Sequence, residues 1–146
     1  MTRAFLAVAL PCLLAACAPI AAVMHPTITG SLTLHNGGVA TSWTPDRCIS
    51  GDAGYFVGFD FVSSTGVGSL RAMLDPVGAA VVRWAPGSGR PVQILRSDTC
   101  TRLVVDATPT AWRVNEVREF AGHVELQCDA TDGTRIEGRI AVDHCH

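Results

Sequence analysis

Clusters of Gly, Pro, Asp and Ser interrupt this chain about every eight to twelve residues from position 28 to its end, and the stretches between them are rich in Val, Thr and aromatic residues. That rhythm points to an all-β fold, a single small sandwich or barrel of antiparallel strands. The candidate strands are Ile28–His35, Tyr55–Val62, Ser69–Leu74, Ala79–Ala85, Pro91–Arg96, Thr101–Ala107, Gly122–Asp129 and Thr134–Asp143. In "YFVGFDFV" alternation puts Tyr55, Val57, Phe59 and Phe61 on one face. The stretch "PGSG" (Pro86–Gly89) is a plain hairpin loop. "AWRVNEVREF" is ambiguous, because Val114, Val117 and Phe120 fit a helical turn about as well as a strand.

The last two strands, "GHVELQCD" and "TRIEGRIAVD", are joined by "ATDG". A two-residue Asp132-Gly133 turn would set every even position opposite an odd one. Val124 and Leu126 would then share no face with Ile136, Ile140 and Val142, and no core could form. A three-residue loop, Thr131-Asp132-Gly133 with Gly133 left-handed, restores agreement. It sets Val124 opposite Ile140, Cys128 opposite Ile136 and Gly122 opposite Val142.

The N-terminus reads "MTRAFLAVALPCLLAACAPI". Arg3 is its one charge, and the apolar run leads to Leu14-Ala15-Ala16-Cys17, the layout of an export signal. This pattern resembles the lipobox of bacterial lipoproteins. The resemblance implies diacylglycerol on the Cys17 thiol, cleavage before Cys17 and acylation of the new amino group. Two or three acyl chains suffice for firm anchoring. Ala18 after the cysteine, by similarity to the enteric sorting rule, favours the outer membrane. Residues 1–16 are then a signal peptide, 17–27 a lipidated tether and 28–146 the β-domain. The other readings are an uncleaved anchor, since Ala4 to Met24 is apolar or proline throughout, and plain secretion. Pro11 and Pro19 fit a helical span poorly. The tail "GHVELQC…GTRIEGRIAVDHCH" also resembles the endings of small uncharacterised lipoproteins of myxobacteria and related proteobacteria, which implies no site residues.

Export gives the cysteines their meaning. Cys12 leaves with the signal and Cys17 carries lipid, so Cys48, Cys100, Cys128 and Cys145 remain as an even set, which in an exported chain implies two disulfides. In the hairpin register Cys128 lies by the turn and Cys145 at the open end, opposite roughly Glu119. At about 3.3 Å per residue they are roughly 30 Å apart, whereas a disulfide needs Cα atoms about 4.4–6.8 Å apart. A Cys128–Cys145 bridge is disfavoured, and each is expected to reach back to Cys48 or Cys100.

Without its signal the chain has ten arginines, no lysine and thirteen acidic residues. Phosphate recognition needs a concentrated basic patch, so no nucleic-acid partner is expected. His144 and His146, two apart on a strand, are candidates to chelate a metal together, but catalytic zinc needs three protein ligands and structural zinc four. His25, His35 and His123 complete no spaced set, and the C-terminal pair is expected to be solvated, with no metal and no cofactor. There is no G-x-S-x-G elbow, no H-E-x-x-H and no glycine-rich phosphate loop. Glu116 and Glu119 read as a solvated pair. Trp43, Trp84 and Trp112 are expected in packing, and two exposed on one face would instead mark a glycan or protein site.

The expectation is a non-enzymatic envelope lipoprotein whose β-domain binds or scaffolds a protein or envelope-polymer partner. The alternatives are an inhibitor or immunity lipoprotein acting on a hydrolase or toxin and, less favoured, an enzyme or metal carrier using the C-terminal histidines.

Overall fold

A computed structural model describes residues 25–146 apart from Val67 and Ser88. The lipobox, Cys17 and most of the tether lie outside the described residues.

Ten strands form two antiparallel five-stranded sheets. The first sheet contains β1 (Thr27–Asn36), β2 (Val39–Trp43), β8 (Cys100–Val114), β9 (Val117–Asp129) and β10 (Arg135–Cys145), ordered β2-β1-β10-β9-β8. The second contains β3 (Arg47–Ser50), β4 (Val57–Val62), β5 (Ser69–Leu74), β6 (Ala80–Ala85) and β7 (Gln93–Leu95) in sequential order. A short 3₁₀ turn, Gly51–Gly54, links β3 to β4.

Period-two alternation puts the large side chains between the sheets. Leu32, Val124, Leu126, Ile136 and Ile140 come from the first sheet, and all are buried. Phe59, Phe61, Leu70, Val82 and Leu95 answer them from the second. Trp43 meets Trp84 edge-on, ring centroids 5.1 Å apart, and Phe120 meets Phe59 the same way at 6.4 Å. Glycine is required where β9 bends: at Gly122 (φ 146°) a Cβ would run into the Asp106 carbonyl oxygen of β8.

The final hairpin pairs Val124 with Ile140, Cys128 with Ile136 and Gly122 with Val142, closed by Thr131–Gly133 with Gly133 at φ 81°. Beyond Val142 the register shifts, and Cys145 lies opposite Phe120 rather than Glu119. One extra residue sits in β10 there, a β-bulge with His144 at φ 56°. That residue turns Cys145 into the core, where it bonds Cys48 of β3 across the two sheets, Cα atoms 5.4 Å apart. A second bulge, at Thr101, turns Cys100 toward Cys128 on the neighbouring strand, and these form the other disulfide. The bulge in β10 separates Cys145 from His123, which lies on the outer face beside Asp106 at 3.5 Å.

Three elements differ from the sequence reading. β2 and β3 are additional strands; each is short, and β2 buries one residue, Trp43, so alternation had little to mark. "AWRVNEVREF" is the far end of the β8–β9 hairpin, turning through Asn115 (φ 49°) and Glu116 (φ 69°), and the paired left-handed residues are those of a type I′ turn. Tyr55 is outside β4. It caps the 3₁₀ turn in the left-handed region (φ 60°), pointing to solvent, while Phe59 and Phe61 take the core.

Candidate functional site

The outer face of each sheet carries paired charges, and that of the second also exposes Ile49 and Ile94. On the first sheet Glu125 of β9 takes Arg102 of β8 at 2.5 Å, with Arg139 of β10 at 3.9 Å. The Arg102 hydrogen bond holds the Glu125 carboxyl below its ordinary value. Glu137 is lowered in the same way, first by Arg135 and then by His35. A depression of ≈ 450 Å³ over this face is lined by Arg102, Glu125, Glu137 and Arg139 among others. On the second sheet Asp60 and Arg71, directly opposite on β4 and β5, form a two-pronged pair at 2.8 and 2.6 Å. The hydrogen bond to Asp60 raises the Arg71 pKa, and the guanidinium lies over the Phe56 ring at 4.8 Å. Such paired faces are suited to water rather than to a partner.

One end of the sandwich is different. There β1, β4, β6 and β9 begin, and β5, β8 and β10 finish. Two hydrogen bonds tie the sheets at this end: Ser50 Oγ donates to the Arg118 carbonyl at 2.6 Å, and the Arg118 N–H donates to Asp52 Oδ2 at 2.7 Å. A cleft of ≈ 780 Å³ opens beside them, walled by Phe56, Val57, Met73, Leu74, Val81 and Phe120. Tyr55 stands at its lip and Arg96, Asp52 and Asp75 supply its polar edge. An apolar wall with few polar groups is the composition of a site that receives an apolar group and orients it. Tyr55, Val57 and Phe120 entered the sequence reading only as strand or turn residues, because a wall that joins the consecutive strands β4, β5 and β6 to Phe120 of β9 carries no motif.

The C-terminal histidines are at the same end and are half-buried, each keeping part of its ring in water. His144 Nδ1 lies 3.1 Å from Glu119 Oε2, and His146 Nδ1 lies 3.8 Å from Glu119 Oε1. Glu119 is buried beneath them, so it is not half of a solvated pair with Glu116, which occupies the exposed β8–β9 turn. His146 Nδ1 also reaches the His144 carbonyl at 2.9 Å. The left-handed backbone at His144 aims both rings at one carboxylate. Among the described residues, no three His, Cys, Asp or Glu side chains are grouped to hold a metal ion. The cluster acts as a polar clasp over the end of β10. It was within reach of the sequence, since the hairpin register already put Glu119 level with the last residues.

Of the tryptophans, Trp43 and Trp84 are buried against each other and Trp112 projects from β8. No known family, curated protein or solved structure matches this chain.

Proposed function

We propose that the protein is a lipid-anchored component of the cell envelope, attached through Cys17 to the outer membrane, whose disulfide-braced domain binds a partner non-enzymatically. The observation that carries the reading is the apolar cleft with Tyr55 at its lip. Two disulfides and a continuous core support a pre-organised site, which limits the ordering cost of binding. The partner is an envelope protein or polymer that offers an apolar group at the membrane surface.

A photo-reactive amino acid in place of Tyr55 tests this in living cells. A discrete adduct is expected, and Val57→Arg, which puts a charge into the cleft wall, is expected to abolish it. No adduct, or one indifferent to Val57→Arg, overturns the reading. Incorporation of a palmitate analogue, lost in Cys17→Ser, tests the anchor separately.

A further inference from the structure

We infer that the cleft end of the sandwich docks on a lipid surface, with Trp112, Tyr55 and Val77 entering the boundary between headgroups and acyl chains. This rests on the anchored reading above and deepens it: the cleft, and the partner it receives, lie at the level of the headgroups.

Three separate turns bring apolar side chains to this end. Between the pairs Pro109–Phe120 and Arg113–Arg118, β8 holds two more residues than β9. An irregularity of that kind re-aims a side chain, and here it displays Trp112, which is 59% exposed. The tip beyond is braced by Arg113 Nη1, which donates to the Glu116 carbonyl at 3.0 Å. Tyr55 is 99% exposed, and its N–H is tied to the Asp52 carbonyl at 3.2 Å. Val77 is 88% exposed at the tip of the β5–β6 turn, where Asp75 Oδ1 accepts from the Val77 and Ala79 N–H groups. Single exposed apolar residues are ordinary. Three on rigid turns at one end, two of them aromatic with a polar edge, match the headgroup level of a membrane.

The chain enters the domain at this same end. Thr27 opens β1 opposite Asp143, next to the Cys145–Phe120 pair from which β9 leads back to the Trp112 hairpin tip. Ten residues, Ala18 to Thr27, separate Cys17 from that point, a reach of at most about 33–36 Å. A domain held so briefly by this end turns it toward the bilayer. Charge is mixed at this end: Arg96 and Arg113 face outward, Asp52 and Asp75 accept from backbone N–H groups, and Asp143 is exposed beside the chain entry. Arginine near anionic headgroups is attracted to them.

The test uses the full lipidated protein in vesicles of phosphatidylethanolamine and phosphatidylglycerol, with acyl chains brominated at graded depths. Bromines about 5–10 Å below the headgroups are expected to quench roughly half of the Trp112 emission. Trp112→Phe is expected to remove the quenched component and leave the emission of the buried Trp43–Trp84 pair. If the protein floats with the vesicles and Trp112 is unquenched, the docking proposal falls and the anchor stands. Trp112 unquenched in vesicles but crosslinked to a protein in cells overturns it in favour of a protein surface. Failure both to incorporate palmitate and to float overturns the anchor, and the docking with it.

Discussion

Glu119 lies beneath His144, with its Oε2 3.1 Å from the imidazole Nδ1 and 4% of its side chain exposed. A carboxylate so far from water depends on its hydrogen bonds. Glu119→Ala is expected to destabilise the domain by about 1–3 kcal/mol, and Glu119→Gln by less. Denaturant melts of the two variants check this, together with the His144 and His146 ring resonances. Resonances unchanged in Glu119→Ala would mean that the clasp does not form in solution.

The inter-sheet bridge is expected to matter more than the one within a sheet. Cys48–Cys145 closes a loop of 97 residues and Cys100–Cys128 one of 28. Chain-entropy arguments assign them about 4.7 and 3.6 kcal/mol. Cys48→Ser/Cys145→Ser should therefore lose more stability than Cys100→Ser/Cys128→Ser, as read from urea unfolding free energies, with the slope rising as the unfolded chain is released. Peptide mapping without reductant should recover those two linkages and no Cys128–Cys145 peptide.

Acid should loosen the first sheet. The Glu125 and Glu137 carboxyls are held below the ordinary value of 4.5 by their arginine partners. A depressed pKa means that the unfolded chain takes up these protons first. The stabilisation is therefore full above about pH 4.5 and fades as the pH falls through the lowered values. Melting temperature measured against pH should decline in that range, and Glu125→Gln should flatten the decline. Because these pairs are exposed, added salt should flatten it as well.

Tyr55 should be a site where stability and binding part company. Its left-handed backbone (φ 60°) is strained for any residue with a Cβ, so Tyr55→Gly is expected to stabilise the domain by roughly 1 kcal/mol. The same change removes the aromatic ring at the lip of the cleft and should weaken capture at that end. Thermal melts and bromolipid quenching of Trp112 measured on one preparation check both halves.

Much of the fold could be read before the structure. Ser69–Leu74 matches β5 residue for residue, and the register of the last hairpin follows from keeping Val124 and Ile140 on one face. Alternation reports only on residues that obey it, however. The bulges at Thr101 and His144 break the period by a single residue, so the inward turn of Cys100 and Cys145 was out of reach. Tyr55 looked like the first residue of the core face in "YFVGFDFV" because hydrophobicity is a property of the side chain, while its exposure is decided by the left-handed backbone with which it caps the 3₁₀ turn. The cleft was illegible for a different reason: Val57, Met73 and Val81 are neighbours in one sheet, but Phe120 joins them only when the other sheet is stacked on it.

The two bulges make chain length, at two points, a covalent matter. Cys100 and Cys145 face inward because one residue has been fitted between pairs that are otherwise fixed. Substituting Thr101 or Asp143 leaves that count intact, whereas deleting either reverses it. A sulfur would then be delivered to the surface while its former partner, Cys128 or Cys48, stayed sealed among apolar side chains. In an oxidising compartment such a thiol couples to the next one it meets. The visible outcome of one lost residue would be a crosslinked pair of folded molecules rather than an unfolded single one.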